Sequence, residues 1–381
     1  MIPLRTPRPV RPGDRVAVVS PSWPAPELFP AVHEAAMRRL REELELEPVE
    51  YPTTRRRASP RERARDLNAA FADPDIRAVL ATIGGDDQIT VLRHLDPEPV
   101  QADPKPFLGY SDNTNLLNWL WFHGVAGVHG GSTQVHLGPG PTVHTEHLES
   151  LRAALFGGDA VLRPVARTCD VGLRWDDPAV FTEQPPDLPA EPWQWHGFDG
   201  PVTGRTWGGN LEILQWTLSV GRWVLPTEAY AGCVLVLETS EEVPSPVEVY
   251  RMLRNLGERG LLGVAAAVVW GRPAVSDHEL TVTETEAAAA RAERRDAVLR
   301  AVGEYHPGLP VVLDVDLGHT IPQYLLPYGG EVALDPAGAR SPRTSGATRG
   351  QPTSGTTPAD RRAFTRRSAG RPRGGHRLGL A

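Results

Sequence analysis

Short apolar runs alternate with amphipathic stretches along most of the chain, and this alternation limits the folds that the chain can adopt. Residues 15–20 and 77–83 are typical of buried strands, and each is followed by a stretch with the apolar spacing of a helix. The same alternation returns later, around the runs at 233–237 and 310–315. Strands that alternate with helices predict an α/β fold with a mainly parallel sheet and helices on both faces.

The order of these patterns predicts two α/β domains and a connecting segment. Residues 1–159 are expected to form an N-terminal domain with a mainly parallel sheet, and residues 202–335 a smaller C-terminal α/β domain. The Pro- and Trp-rich stretch 160–201 is expected to be a linker or lid. With 381 residues the chain is long enough for two hydrophobic cores. Because ligands of parallel sheets bind at the carboxyl ends of the strands, we expect a site between the two domains.

The composition of the final segment, residues 336–381, differs from that of the rest of the chain. From Arg340 onward it contains ten arginines and one acidic residue, Asp360, among Gly, Ser, Thr and Pro. Such a segment buries too little apolar surface to offset its ordering entropy, so we expect disorder. Lys105 is the only lysine beside 39 arginines, as a GC-rich gene would give. We therefore hypothesise that the tail is a frameshifted replacement of a normal C-terminus, with a nucleic-acid-binding arm as the alternative.

Charge and composition exclude several classes of function. The net charge is -7 although the tail is basic, so the body of the chain is acidic, which argues against nucleic acid as a partner. No stretch has the length of a membrane span, and the N-terminus lacks a signal-peptide apolar region. Cys169 and Cys233 form neither a disulfide framework nor a metal-like pair, and His144 and His147 lack zinc-site spacing. We expect a cytoplasmic protein without membrane contact, metal or cofactor.

Ser111 carries the clearest signal for chemistry. The short apolar run 107–109 ends just before it, and an amphipathic stretch that includes Leu116 and Leu120 follows. A serine at a sharp strand-to-helix turn has its hydroxyl lifted off the sheet edge, and the first free N–H groups of the helix point at the group that it attacks. Serine is also favoured as a helix N-cap, so this segment alone leaves a capping role open.

A serine nucleophile needs a base and a group that orients the base. His319 follows the apolar run 310–315 and a glycine, so it is expected on a strand-end loop, where catalytic side chains are commonly displayed. Glu238 directly follows the run 233–237, and a carboxylate there can hold an imidazole N–H. Taken singly, each is also explained as an ordinary loop residue. Together with Ser111 they give the order Ser, Glu, His at three strand ends.

With these residues the chain resembles the LD-carboxypeptidase family of serine peptidases. That family comprises the murein tetrapeptide LD-carboxypeptidases and the microcin C immunity peptidases. The similarity covers about residues 10–335 and rests on several separate motifs in the family's order. These motifs are Pro12-Gly13-Asp14, Pro21-Ser22, Gly84-Gly85, Gly109-Tyr110-Ser111-Asp112, Gly208-Gly209-Asn210-Leu211, Leu237-Glu238, and Gly318-His319-Thr320 followed by Pro322-Gln323.

The resemblance implies a role for each of these site residues. Ser111 would be the nucleophile, His319 the general base, and Glu238 the carboxylate that orients the imidazole. The backbone N–H groups of Gly85 and Asp112 would form the oxyanion hole. The resemblance also implies a homodimer, and the family pattern continues past residue 335, where this chain diverges from it.

The substrate is less constrained by the sequence. Trp193, Trp195 and Trp207 are candidates for stacking on a nucleobase, and the helix that begins near Asn210 offers N–H groups to a substrate carboxylate. Core or lid packing and helix capping are the alternatives for these residues. The Trp-rich stretch 193–207 and the segment 84–88 resemble the immunity-peptidase branch of the family, which would act on a small peptide or peptidyl-nucleotide. Murein tetrapeptide hydrolysis in cell-wall recycling is the alternative, and a non-catalytic small-molecule binding protein is the alternative from another class.

Overall fold

The computed structural model describes residues 3–338 and the backbone of residues 377–380. The strands in these residues are β1 (Arg15–Val19), β2 (Glu47–Glu50), β3 (Ile76–Ala81), β4 (Phe107–Gly109), β5 (Gly127–His129), β6 (Ala160–Leu162), β7 (Arg167–Thr168), β8 (Leu188–Pro189), β9 (Gln194–His196), β10 (Val202–Asn210), β11 (Val234–Glu238), β12 (Ala267–Gly271), β13 (Val311–Val315), β14 (Leu326–Tyr328), β15 (Glu331–Leu334) and β16 (Arg377–Leu380).

The α-helices in the same residues are α1 (Ala25–Leu28), α2 (Pro30–Glu42), α3 (Pro60–Ala72), α4 (Pro97–Ala102), α5 (Thr114–Phe122), α6 (Thr133–His136), α7 (Thr145–Phe156), α8 (Leu211–Val220), α9 (Pro246–Glu258), α10 (Leu261–Val264) and α11 (Glu284–Tyr305). Short 3₁₀ turns lie at Gln88–Thr90, Leu92–His94, Ser111–Asn113, Pro178–Phe181 and Thr227–Tyr230. None of the helices in the described residues has the length and apolar character needed to cross a membrane.

The N-terminal half is built on a six-stranded sheet with the order β14-β5-β4-β3-β1-β2. Strands β1 to β5 pair in parallel. Strand β14 comes from near the end of the described chain and is antiparallel to β5. Apolar clusters cover both faces: Val79 and Phe107 belong to one, Ala78 and Leu108 to the other. This arrangement confirms the predicted α/β fold with a mainly parallel sheet.

The C-terminal half is built on an eight-stranded sheet with the order β6-β16-β15-β10-β11-β12-β13-β9. Strands β10 to β13 are parallel neighbours, as the strand–helix alternation predicts. The segment 160–201, predicted to be a linker or lid, contributes β6 and β9 to this sheet. These two strands are three residues long, too short for a periodic pattern, and only pairing with a longer neighbour makes them strands.

Residues 377–380 form a strand within the tail for which disorder is predicted. Their backbone pairs in parallel with β15 on one side and with β6 on the other. The backbone differs here from the predicted disorder because a sheet edge offers unpaired N–H and C=O groups to a strand of any composition. Residues 339–376 and the hypothesis of a frameshift lie outside the described residues.

Helix α5 lies between the two halves and fixes the segment that follows Ser111. Residues 114–121 are all buried, which suits a helix that is packed on every side. The N–H of Asn210, at the end of β10, donates to Thr114 Oγ1 at 3.0 Å. Trp207 Nε1–H donates to Asn118 Oδ1 at 3.2 Å. The start of α5 is therefore held by the C-terminal half as well as by its own sheet.

Candidate active site

Ser111 lies at a sharp turn directly after β4 and at the start of a 3₁₀ turn that runs into α5. Its φ is 60°, an uncommon value for a residue with a side chain and one that persists only when the surroundings hold it. Asn113 provides part of that hold, because its Nδ2 donates to the carbonyls of Ile83 at 3.0 Å and Tyr110 at 3.1 Å. The hydroxyl of Ser111 makes no hydrogen bond within the described residues, so it does not act as a helix cap.

The loop that carries Gly84 and Gly85 follows β3 and packs against this turn. A Cβ on Gly84 would lie 2.8 Å from Ser111 Cβ, so only glycine allows the loop this close approach. The Asp112 carboxylate ties the loop in place by accepting from Gln88 N–H at 2.9 Å and from the Ser22 hydroxyl. Within the described residues, no backbone carbonyl engages the N–H groups of Gly85 and Asp112. The N–H of Asp112, the residue after Ser111, and the N–H of Gly85 are therefore available to donate to a ligand.

Glu238 and His319 meet at the strand ends of the C-terminal half. Glu238 is the last residue of β11, and His319 Nδ1 lies 2.6 Å from its Oε2 although 81 residues separate them. Gly318 has a φ of +91°, and a Cβ there would lie 2.7 Å from the same oxygen, so glycine is required for the contact. The sequence prediction that a carboxylate at this strand end holds an imidazole therefore agrees with the geometry.

Electrostatics strengthen this buried pair. Burial alone would raise the pKa of Glu238, but the imidazoles of His319 and His129 outweigh it and lower the pKa to about 2. Burial alone would lower the pKa of His319, but the carboxylates of Glu238, Glu241 and Glu212 outweigh it and raise the pKa to about 9. The structure therefore favours an ionised carboxylate beside a protonated imidazole at neutral pH.

The outer nitrogen of His319 faces a second carboxylate. His319 Nε2 lies 3.1 Å from Oε2 of Glu241, whose side chain is 67% exposed. Among the described residues no hydrogen bond joins His319 to Ser111. The ring of Tyr110, directly before Ser111, packs on the imidazole with 4.9 Å between ring centroids. His319 and Ser111 thus line one cavity, and the outer nitrogen of His319 is paired with Glu241.

A second imidazole approaches Glu238 from the N-terminal half. His129, the last residue of β5, is buried, and its Nε2 lies 3.8 Å from Glu238 Oε1. That distance is too long for a hydrogen bond, and both atoms lack one within the described residues. The carboxylate is therefore enclosed between imidazoles from both halves of the molecule.

A cavity of about 660 Å³ opens over these groups. Gly84, Gly85, Ser111 and His319 line its base, and the segments 170–176 and 183–185 of the predicted lid line its wall. Glu238 lies behind His319 and does not reach the cavity surface. A cleft of this size between domains is a typical place for a small-molecule substrate.

Comparison with known proteins agrees with this arrangement. Residues 16–130 match the model of the LD-carboxypeptidase N-terminal domain, and residues 203–334 match that of the C-terminal domain. A murein tetrapeptide carboxypeptidase of Pseudomonas aeruginosa is 34% identical over 334 residues, which cover 84% of this chain and 93% of the relative. The chain belongs to the LD-carboxypeptidase family. It is a serine peptidase of the carboxypeptidase type.

Other members of the family include proteins with an immunity function. The microcin C7 self-immunity protein MccF of Escherichia coli is 28% identical over 279 residues, which cover 72% of this chain and 76% of the relative. Its structure with aspartyl sulfamoyl adenosine matches 86% of this chain and 95% of its own, with a TM-score of 0.74 and 23% identity. An MccF-like protein from Streptococcus pneumoniae, solved with AMP, matches 86% of this chain and 97% of its own, with a TM-score of 0.74 and 22% identity. These structural matches show a shared fold.

Four residues predicted to bind substrate do not line the cavity of this family member. Trp207 is buried in the core beside α5, and Trp193 is buried with its Nε1–H donated to Asp316 at 2.8 Å. Trp195 packs against a neighbouring phenylalanine on the edge strand β9. Asn210 is buried and caps α8 by accepting from the N–H of Ile213. Apolar packing and capping, the stated alternatives for these residues, describe their contacts.

Several residues that shape the site have no local signal in the sequence. Gln88 lies in a segment predicted as a helix, yet it occupies a short 3₁₀ turn. Its side chain donates to Asn113 at 2.7 Å and accepts from the N–H of Leu116 at 3.0 Å, which locks the glycine loop to the start of α5. Glu241 and His129 reach the site through long-range packing. In the sequence, Glu241 could have been suggested only by its position three residues after Glu238.

Proposed function

We propose that this chain hydrolyses a peptide-type amide through an acyl-enzyme, with Ser111, Glu238 and His319 as its catalytic triad. The observation that carries the proposal is the 2.6 Å contact between Glu238 and His319 at the base of the cavity that Ser111 also lines. A buried carboxylate that accepts Nδ1–H leaves the other imidazole nitrogen available as a base. Ser111, held at a positive φ beside two unengaged N–H groups, has the setting of a nucleophile.

The reaction follows from these positions. His319 accepts the hydroxyl proton as Ser111 attacks the carbonyl carbon, and it returns the proton to the leaving amine. The N–H groups of Gly85 and Asp112 stabilise the oxyanion, and losing one such donor typically raises the barrier by about 3 kcal/mol. A water molecule, deprotonated by the same imidazole, then releases the acyl group from the serine.

For the substrate we propose a small peptidyl-nucleotide, with murein tetrapeptides as the second candidate. An aromatic wall of the cavity supports the first: Trp23 and Phe29 lie 6.1 Å apart, and Phe29 and Trp175 lie 5.4 Å apart, in edge-to-face contacts. Such rings offer surfaces for a planar base. The 34% identical relative, whose name specifies murein tetrapeptide, supports the second.

A side-by-side hydrolysis assay tests the two candidates. The purified full-length chain is incubated with a peptidyl-aminoacyl nucleotide and, separately, with a tetrapeptide that ends in an L-D bond. We expect the larger kcat/KM for the nucleotide conjugate. A larger kcat/KM for the tetrapeptide would assign the chain to murein peptides, and labelling of Ser111 by a fluorophosphonate without turnover of either would move the search to other amides.

The pH dependence of the proposed reaction is expected to be shifted towards alkaline values. His319 must be neutral to accept a proton, and Glu238, Glu241 and Glu212 raise its pKa to about 9 against the opposing effect of burial. The kcat/KM of the free enzyme should therefore rise with pH along a limb with an apparent pKa near 9. A limb near the ordinary histidine value of about 6.5 would contradict the assigned environment. The measurement is kcat/KM across a buffer series.

Replacing Gly84 with alanine is expected to lower kcat by about 100-fold, as misplacement of reacting groups by an ångström does. The new Cβ would lie 2.8 Å from Ser111 Cβ and 2.9 Å from its Oγ, so the serine must move. The control is Gly303→Ala, because a Cβ on this helical glycine meets no atom within 4 Å. Equal kcat values for the two variants would show that the glycine loop does not position the serine.

A further inference from the structure

Glu241 occupies an unusual position for a charged loop residue. It follows β11 by three residues, lines the cavity, and places Oε2 3.1 Å from His319 Nε2. In the proposed reaction this nitrogen exchanges a proton with Ser111 and with the leaving amine. The Glu241 carboxylate therefore lies at the reacting centre, yet its side chain is 67% exposed and free to move.

Many carboxylates line the cavity around Glu241; Asp170 is paired with Arg291, but several of the others have no ion-pair partner in the part of the chain that the structure describes. Glu242 lines it too, and further acidic side chains come from the loops around it: Asp86, Asp170, Asp176, Glu183 and Asp277. Among the described residues that line the cavity, Arg174 is the only arginine or lysine, and Asp176 already holds its guanidinium at 3.0 Å. Asp86, Glu183 and Glu242 have no ion-pair partner within the described residues.

Three further histidines that line the cavity do not offset this charge. Burial lowers the pKa of His136 to about 3, and it also lowers the pKa of His144 and His147, so these rings are neutral at physiological pH. The cationic side chains that line the cleft, Arg174 and His319, are already paired with carboxylates, so its unpaired carboxylates attract positively charged groups of a ligand.

We propose that the Glu241 carboxylate binds a cationic side chain or amine of the substrate next to the scissile amide, so that the enzyme selects peptides with a positive charge at that position. This inference rests on the proposed hydrolase function and adds the charge of the substrate to it. An ammonium or guanidinium group would take the place of His319 as the partner of Glu241. The imidazole would then be released to face Ser111.

Release of the imidazole couples substrate choice to catalysis. The groups that face His319 are Glu238 at Nδ1, Glu241 at Nε2, the Glu212 carboxylate behind them, and the ring of Tyr110. Of these, Glu241 is the exposed one that a ligand can reach. Once a cation neutralises it, the pKa of His319 falls, and more of the base is in the neutral form that accepts the serine proton.

The test uses three peptide amides that differ at one residue and a charge-neutral variant of the enzyme. The acyl-side residue of the scissile bond is lysine, norleucine or glutamate, and a second set carries the same change on the leaving-group side. For the wild type, the best lysine peptide should exceed its norleucine analogue in kcat/KM by about tenfold to a hundredfold, the value of one hydrogen bond to a charged group. Glu241→Gln should bring that ratio close to one and shift the pH limb to lower pH, and Glu241→Lys should favour the glutamate peptide.

The control is Glu279→Gln, an exposed glutamate that does not line the cavity and should leave the lysine preference unchanged. A wild type that hydrolyses these peptides without preferring lysine, or a preference that persists in Glu241→Gln, would overturn the inference and leave the hydrolase function standing. If the wild type hydrolyses none of the peptides and a fluorophosphonate fails to label Ser111, the hydrolase function itself is refuted. The two failures are therefore distinguishable.

Discussion

Replacing Ser111 with alanine is expected to reduce kcat by about 10⁶-fold, the loss seen when the nucleophile of a serine hydrolase is removed. Among the described residues that line the cavity no other Ser, Thr or Cys can replace Ser111, and the Tyr110 hydroxyl is buried against Gln323. The fold should be unaffected: Ser111 Oγ makes no hydrogen bond within the described residues, so its removal leaves no partner unsatisfied. The free energy of unfolding should change by less than about 1 kcal/mol.

Three measurements check this result. They are the hydrolysis rate, labelling by a fluorophosphonate, and thermal unfolding. Ser219→Ala is the matched control, because Ser219 is exposed on α8 and its hydroxyl donates only to a carbonyl of its own helix. A Ser111→Ala enzyme that still turns over substrate at a measurable fraction of the wild-type rate would refute the nucleophile assignment. Loss of activity together with loss of the folded state would instead indicate that Ser111 is structural.

Replacing Glu238 with glutamine is expected to lower kcat by about 10⁴-fold. The carboxylate accepts Nδ1–H of His319 at 2.6 Å, which fixes the tautomer and stabilises the imidazolium that forms during proton transfer. A glutamine presents an N–H₂ group to the ring in one of its two orientations, and it removes the charge in both. Because the negative charge of Glu238 raises the pKa of His319, the alkaline limb of the pH profile should also move to lower pH.

Glu212→Gln provides the comparison for this variant. Glu212 is a neighbouring carboxylate that accepts from Ser240 N–H at 2.9 Å and makes no contact with the imidazole. Its replacement should lower kcat by less than about tenfold, as loss of a single neutral hydrogen bond does. Equal losses in the two variants would mean that the total charge of the cluster matters and that the contact with Nδ1 does not. Circular dichroism of both proteins reports whether they remain folded.

The features that could be predicted from the sequence are those with a local pattern. Ser111, Glu238 and His319 each follow an apolar run, and the carboxyl ends of parallel strands lie at one sheet edge, so the pattern alone suggested that they could meet. The predicted strand 77–83 is followed by Gly84 and Gly85, and the loop can approach Ser111 this closely only because position 84 is glycine. Strand boundaries also agree to within one residue at the apolar runs 233–237 and 310–315, which form β11 and β13.

Features that depend on contacts between distant segments could not be predicted in this way. The sequence around a tryptophan in an irregular segment does not indicate whether its side chain lines a cavity or fills a core. Trp193 and Trp207 are buried in the structure. The aromatic wall instead comes from Trp23 and Trp175, which lie in two segments far apart in the chain. The contact of Glu241 with His319 likewise depends on how two loops pack, and no sequence period encodes it.

Strand β14 lies late in the chain but pairs with the early strand β5, and this order affects how the protein is synthesised. The sheet that carries Ser111 is completed by residues 326–328, which pair with β5 in register with His129. Until the ribosome has synthesised that stretch, β5 has a bare edge that is open to pairing with any other strand. The sheet that carries Ser111 is therefore finished only after the strands of the second sheet from β6 to β13 have been synthesised, and a nascent chain that stops short of Leu326 would expose this edge to aggregation.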